Sequence, residues 1–385
     1  MRKKHFVVLR RLHGKIHDEW QIRKMVNAGY KASLKAKENN SSNENYPVDF
    51  VVLWLNSQDP EWQAEMVKYM PQYQTVQKSN AVARFRDWDI FRYWFRAVEK
   101  YAPWVRNVYF VTCGHVPSWL NLDSPKLRFV RHDQFIPKEY LPTFSCFPTE
   151  LNLWRIDGIS EHIVYFNDDM FLTRPVEKSD FFCNGLPRYP AIAMPAYPSM
   201  NMTAWTHNLF NNAGVINDFF NVSKCIEDHP EKWFSADYIA KQREWNLRAY
   251  QDGKIMGMLF YHLGVPYRCS TMKKVWEAIP ERLDSSCRYR FRTMDDVFHQ
   301  VFQLWEIMQG TFEPVSSDYY GKAMNVSPEN ISDFEKYFFG EDCRMICVND
   351  SEGLSNEGFE FLNNYMKEQF EKKFPEKSSF EKRNE

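Results

Sequence analysis

Nothing in the chain is apolar for long enough to cross a membrane; the most hydrophobic stretches, such as residues 48–55, fall far short of the ~18–20 residues a span requires. Nor does the start read as an export signal. The basic opening is followed by only four apolar residues, 6–9, before Arg10 and Arg11 interrupt. A cytoplasmic protein is expected. Net charge is also missing: 49 basic and 50 acidic residues leave −1, so no overall field draws the chain to nucleic acid. The eight cysteines include no Cys-x-x-Cys pair, and without secretion their even number carries little weight, so free, mostly buried thiols are expected. There is no internal repeat, and no low-complexity tract beyond a polar linker at residues 38–45.

What the chain has is length and aromatic side chains. Its 385 residues suffice for a large core, and 17% aromatics with 13 Trp supply rigid faces for a core or for stacking on sugars and bases. Residues 1–38 are basic, with Ile16, Trp20, Met25 and Val26 near helical spacing. Such a helix either packs on the main body or lies as a peripheral contact on an anionic membrane face.

Residues 48–55 form a near-continuous apolar run, as expected of a strand buried on both faces of a parallel sheet, and they empty into the turn Asn56-Ser57-Gln58-Asp59-Pro60. Apolar residues Ile90, Phe91, Trp94, Phe95 and Val98 then mark an amphipathic helix over 84–100, carrying Arg84 and Arg92 as candidate phosphate contacts. Strands are expected at 107–113 and 126–132, a helix at 148–158, and a strand at 162–167. This alternation predicts an α/β, Rossmann-like (GT-A-like), mostly parallel sheet flanked by helices, with helical insertions and a helical C-terminal tail. The four prolines of residues 183–200 predict irregular chain, while 204–212 fit no pattern. A helix is expected to open near Thr293, lined by Val297, Val301, Leu304 and Met308 and stopped by Gly310. The organisation read from this is an N-terminal segment and linker over 1–45, a catalytic domain over 46–350 with an insertion or lid at 183–260, and a tail over 351–385.

The stretch with most chemistry is 162–171, where an apolar strand ends in Asn167, Asp168 and Asp169. Two adjacent carboxylates at a strand end either close an Asx-type turn or hold a divalent cation against a phosphate. The residues alone leave both open.

Four separated blocks resemble the Stealth family, the bacterial capsular polysaccharide phosphotransferases whose relatives include the animal N-acetylglucosamine-1-phosphotransferase. The first runs from Asp49 through Trp54, Asn56 and Asp59 to Trp62. The second runs from Arg84 through Arg92, Gly114 and Trp119 to Glu150 and Asn167-Asp168-Asp169. The third covers His262 to Arg292, and the fourth Ile346 to Asp350 with an ending at 374–381. Separations of 19 residues between Glu150 and Asp169 and 30 between His262 and Arg292 look like those of the family's four essential positions. Ser57 stands where a glycine is usual and His115 where a glutamine is usual, two departures that bear on donor preference.

The resemblance implies transfer of a sugar 1-phosphate from a nucleotide sugar, UDP-linked in expectation, to a hydroxyl of a glycan acceptor, lipid-linked or free, with release of a nucleoside monophosphate. It implies Mg²⁺ or Mn²⁺ on Asp168 and Asp169, and catalytic roles for His262, Arg292, Asp169 and Glu150. A histidine exchanges protons near neutral pH and so suits the base, and a forked guanidinium suits phosphoryl oxygens. One of the aspartates is the alternative base, and Glu150 orients either His262 or the acceptor. Asp49, Asn56, Arg84, Arg92 and Asn167 are the expected donor contacts. Two other readings stay in view: a metal-dependent glycosyltransferase that would release a nucleoside diphosphate, and a glycan-binding protein without catalysis.

Overall fold

The computed structural model describes residues 2–38, 45–70, 88–195, 202–349 and 354–383, with side chains from Glu19 onward. Arg84 and Asp350 lie outside the described residues. In chain order the strands are β1 (Val48–Leu53), β2 (Val108–Thr112), β3 (Leu127–Arg131), β4 (His162–Asn167), β5 (Met170–Leu172), β6 (Phe182–Cys183), β7 (Leu186–Tyr189), β8 (Val265–Arg268), β9 (Glu313–Pro314), β10 (Gly321–Asn325) and β11 (Met345–Asn349).

The central sheet has the order β3-β2-β1-β4-β8. Its first four strands are parallel and β8 joins the β4 edge antiparallel. The α/β class with a mostly parallel sheet is therefore what the chain adopts. β1, β2 and β4 are largely apolar because both their faces are covered, while the edge strand β3 exposes Arg128 and Arg131. Phe50, Val52, Phe110, Val164 and Phe166 point into one core with the helices Phe91–Tyr101 and Asn356–Lys373. Val51, Tyr109, Val111, Ile163 and Tyr165 point into a second core with the helices Cys146–Asn152, Cys269–Ala278 and Gln300–Met308. Strand order reverses between β1 and β4, and the crevice beyond their C-terminal ends is where open α/β sheets bind ligands.

A second, three-stranded sheet, β10-β11-β5, grows out of the first. The chain leaves β4 through Asp168 and Asp169 and at once becomes β5, which pairs antiparallel with β11. This late strand is thereby carried to the acidic turn, and Val348 N–H donates to the Asp169 carbonyl at 2.9 Å.

The structure departs from the sequence reading in three places. Residues 183–200 are not wholly irregular: β6 and β7 form a hairpin. Its turn is Asn184-Gly185, both left-handed with φ of 51° and 76°, and this pair outweighs the prolines as a hairpin signal. The patternless 204–212 belong to a helix, Ala204–Phe219, whose start is capped by the Thr203 side chain. The helix expected from Thr293 begins only at Gln300, because the Asp296 carboxylate accepts the Thr293 N–H at 2.6 Å and closes a local turn. All eight cysteines are free, but only four are buried.

The N-terminal helix, Arg2–Glu38, packs its second half on the body. Met25 and Val26 meet the second core, the Ser33 hydroxyl accepts from Ala236 N–H, and Lys37 pairs with Asp237. Gly29 lies so close to the Pro230 carbonyl that a Cβ there would stand 2.4 Å away. Among the described residues no helix is long and apolar enough to cross a membrane.

At the other end of the chain, buried Arg96 holds the tail. Its guanidinium donates to both Glu381 oxygens at 2.8 and 2.9 Å and to the Phe374 carbonyl at 2.7 Å. Removing one partner of a buried pair strands the other charge at a cost of about 3–5 kcal/mol. Glu381→Ala is therefore expected to lower the urea midpoint markedly. Glu357→Ala, in the exposed first turn of the C-terminal helix, is expected to leave it unchanged.

Candidate functional site

The residues singled out at the strand end come together at the C-terminal edge of β4. Asp169, on the turn after the strand, carries a half-buried carboxylate whose Oδ2 lies 3.5 Å from His262 Nε2. Its other oxygen, Oδ1, is buried and accepts no hydrogen bond. Asp168, beside it, is half-buried. His262 sits three residues before β8, so the antiparallel pairing of Tyr165 with Val265 delivers it to the end of β4. Gly264 makes that close approach possible: a Cβ there would stand 2.5 Å from the buried Phe166 ring. Cys347 Sγ, from β11, completes a group of three donor atoms with Asp169 and His262, all within 4.8 Å of one another. Burial and the adjoining Asp169 carboxylate push the Cys347 thiol well up from its ordinary range.

Behind this outer group lies a buried polar chain on the second face of the sheet. Alternation puts Tyr165 and Asn167 on the same face of β4. The Tyr165 hydroxyl reaches Glu150 Oε1 at 2.8 Å and also the Asn167 side-chain oxygen. One hydroxyl proton cannot serve two acceptors. The Asn167 amide nitrogen meanwhile faces His262 Nε2 at 3.5 Å, and His262 Nε2 also faces the Asp169 carboxylate. Amide oxygen and nitrogen are told apart only by their partners. All the protons balance when the amide is turned over. Asn167 then donates to Tyr165, Tyr165 donates to Glu150, and His262 keeps its proton on Nε2, between Asn167 and Asp169.

Glu150, on the helix Cys146–Asn152, is almost wholly buried, and its Oε2 lies 3.8 Å from His299 Nε2. The other nitrogen of His299 bonds the Tyr267 hydroxyl at 2.5 Å. Burial lowers the His299 pKa to about 4, against the pull of Glu150 and with the push of His262 and Arg292. The ring is thus neutral near pH 7, with Nδ1 bonded to the Tyr267 hydroxyl and Nε2 facing Glu150. Arg292 reaches the same helix from the turn before Gln300: its guanidinium lies 4.6 Å from the centre of the Phe147 ring and donates to Cys146 Sγ at 2.9 Å, while Nε is buried without a partner. Unpaired buried polar atoms are rare in folded proteins. Asp169 Oδ1, Glu150 Oε2 and Arg292 Nε are among several such atoms in the described residues.

Of the expected donor contacts, Asn56 lies at the C-terminal edge of the sheet, just beyond β1. Its N–H donates to His115 Nδ1 at 3.2 Å, and His115 Nε2 faces Asp59 at 3.6 Å, so the two departures in the loops, Ser57 and His115, adjoin or contact Asn56. Arg92 opens the helix Phe91–Tyr101 and lies over the Trp119 ring, while Phe91 stacks on Trp54 just past β1. Asp49 does not join them. It lies at the opposite, N-terminal end of β1 with no exposed surface, and accepts from Arg106, Asn107 N–H and Ser160 N–H. Every lone pair it has is engaged in holding the sheet, which removes it from the nucleotide contacts. Arg84 lies outside the described residues.

Sequence reading missed Tyr165, His299, Cys146 and Cys347. Tyr165 carried a signal, a hydroxyl in an otherwise apolar strand two residues before Asn167. The other three become visible only when distant segments meet.

The site also has a built-in pH dependence of stability. Burial raises the Asp296 carboxyl from its ordinary 3.8 to about 7, against the pull of the Thr293 bonds and of Arg292. The folded state therefore holds a proton that the unfolded state has lost, and stability falls as pH rises from about 4 to 7. Asp296→Asn, which keeps the acceptor for Thr293, is expected to match wild-type melting at pH 4 and to melt higher than wild type at pH 8, as differential scanning fluorimetry across that range would read.

Comparison with known proteins gives the following. Residues 84–188 match the family model described as Stealth protein CR2, conserved region 2. A capsular polysaccharide phosphotransferase, WcwK, of Streptococcus pneumoniae is 39% identical over 342 residues, covering 87% of this chain and 99% of that one. A receptor polysaccharide phosphotransferase, WefC, of Streptococcus oralis is 35% identical, covering 87% and 99%. An exopolysaccharide phosphotransferase, cps2G, of Lactiplantibacillus plantarum is 34% identical, covering 88% and 97%.

Proposed function

The chain belongs to the Stealth family of polysaccharide phosphotransferases, and from that premise we propose that it moves a sugar 1-phosphate from a UDP-linked sugar to a hydroxyl of a glycan acceptor. It is a phosphotransferase of polysaccharide synthesis; donor, acceptor and product are the parts proposed. The acceptor oxygen attacks the phosphorus next to the sugar. The bond from that phosphorus to the bridging oxygen breaks, UMP leaves, and the sugar C1–O bond survives in the new phosphodiester.

The observation that carries this reading is the pairing of Asp169 with His262, with the second Asp169 oxygen buried and unpaired. His262 with its proton on Nε2 has its lone pair on Nδ1, and that nitrogen takes the acceptor proton as the oxygen attacks. Asp169 Oδ2 then faces the imidazolium that forms. Arg292, unpaired at Nε, meets the phosphoryl oxygens. Glu150 is a positioning residue: through Tyr165 and Asn167 it sets the proton on His262 Nε2. Asn56 and Arg92 line the donor side of the crevice.

The unpaired Asp169 Oδ1, with Asp168 beside it, suits a hard divalent cation, Mg²⁺ or Mn²⁺, between a carboxylate pair and a diphosphate. When bound, such an ion neutralises charge on the diphosphate and the departing UMP.

Incubating the protein with UDP-sugars and Mg²⁺ is expected to release UMP, read by anion-exchange chromatography, and EDTA is expected to stop it. Release of UDP instead would mean glycosyl transfer and overturn the reading. His262→Ala and Arg292→Ala are each expected to lower kcat by about 10²–10⁴-fold with little change in melting temperature. A folded variant turning over near the wild-type rate would remove that residue from the mechanism.

A further inference from the structure

Cys347 takes no part in the chemistry just described, yet its sulfur shares the space of two residues that do. Among the described residues, Asp169, His262 and Cys347 are the grouping whose donor atoms, a carboxylate oxygen, an imidazole nitrogen and a sulfur, all lie within 4.8 Å of one another. They arrive from three separate segments, the β4–β5 turn, the approach to β8, and β11. Cys347 forms the buried floor, while Asp169 and His262 are about a quarter and a third exposed and face the crevice. An ion entering from the crevice would therefore meet the oxygen and nitrogen first and the sulfur last.

This donor set does not suit Mg²⁺, which takes oxygen ligands in a near-octahedral shell. One sulfur, one nitrogen and one oxygen suit a borderline-soft ion such as Zn²⁺ or Co²⁺, with the fourth position open to water. A tetrahedral zinc-type site has donor atoms ~3.3–3.8 Å apart, so the group needs to close by about 1 Å. The partly exposed His262 and Asp169 side chains are free to make that move over the fixed sulfur. A second observation points the same way: Asp169 Oδ1 is buried beside the Cys347 thiol, with no partner beyond that thiol.

We propose that Asp169, His262 and Cys347 form a binding site for a thiophilic divalent ion of the zinc class, and that an ion held there switches the phosphotransferase off. Binding exchanges the Cys347 thiol proton for the metal and releases it to solvent. An ion held on His262 Nε2, the nitrogen that faces Asp169, shifts that nitrogen's proton to Nδ1 and so removes the lone pair that the transfer step requires; it also claims the Asp169 carboxylate, so it competes with Mg²⁺ for that residue. The inhibitory half of the proposal rests on the reaction assigned above; the binding half does not.

The test uses the full chain, stripped of metal with EDTA and dialysed. Titration with Co²⁺ is expected to produce a sulfur-to-cobalt charge-transfer band in the near ultraviolet that saturates at about one ion per chain. The band should be lost in Cys347→Ser and in His262→Ala, the second serving if the first fails to give a cooperative melt. In a UMP-release assay with Mg²⁺, Zn²⁺ should inhibit the wild type. Its midpoint should rise about 10-fold or more in Cys347→Ser, each protein being referred to its own uninhibited rate. Raising Mg²⁺ should relieve the inhibition. Absence of the band, its survival in both variants, or equal zinc sensitivity of wild type and Cys347→Ser would overturn the proposal. Should the band appear and depend on these residues while no UDP-sugar yields UMP, the metal site stands and the reaction assigned above falls. UMP release without the band would leave the reaction standing and remove the metal site.

Discussion

A carboxylate with no exposed surface sits at the start of the central sheet, and the geometry at the sheet's far edge depends on it. Asp49 accepts from Arg106, from the backbone of Asn107 at the entry to β2 and from the backbone of Ser160 at the entry to β4. Three strand entries are thus tied to one residue. Parallel strands joined by long crossovers have no tight turn to set their register, and a slip of one residue would send every side chain to the other face. With the register held, Leu53 pairs with Asn167, and the polar residues that follow β1 and β4 open into the same crevice. A buried charge is costly alone, and this one is tolerated because each lone pair is met by a donor and Arg106 supplies the countercharge.

At the crevice the logic is reversed. Asp49 is fully paired, whereas an oxygen of Asp169, an oxygen of Glu150 and a nitrogen of Arg292 have no hydrogen-bond partner. A neutral His299 keeps a second positive charge away from Arg292. A chain of polar contacts runs from Glu150 through Tyr165 and Asn167 to His262 Nε2.

Much of the central sheet was legible in the sequence because doubly covered parallel strands are near-continuous apolar runs, as β1 is apart from Asp49, and the polar turn at Asn56 marks its end. The turn at Asn184-Gly185 was equally legible in principle, and was outweighed by a count of prolines that does not bear on a two-residue hairpin. The helix start near Thr293 was misread because a Thr and an Asp three residues apart cap a helix or close a turn with the same bond. Asp169, His262, Glu150 and Arg292 were singled out as candidate catalytic residues only through family resemblance, and nothing local in their neighbourhoods distinguishes them from a turn, a loop histidine or a solvated arginine. Asp49 failed for a physical reason: the same strand has two ends, and only one faces the ligand. Cys347 was invisible because its neighbour Asp169 stands 178 positions earlier in the chain and is joined to it only by the β5–β11 pairing.

That separation bears on how the protein is made. At about 5–20 residues per second, synthesis delivers Cys347 some 10–35 seconds after Asp169. Until β11 emerges, β5 is an unpaired edge and the turn carrying Asp169 has no strand behind it. Glu381, which closes on Arg96, follows later still. A ribosome-bound chain can thus assemble the central sheet while the second sheet behind Asp169 is still missing, so the setting of that carboxylate is completed only after β11 has been translated.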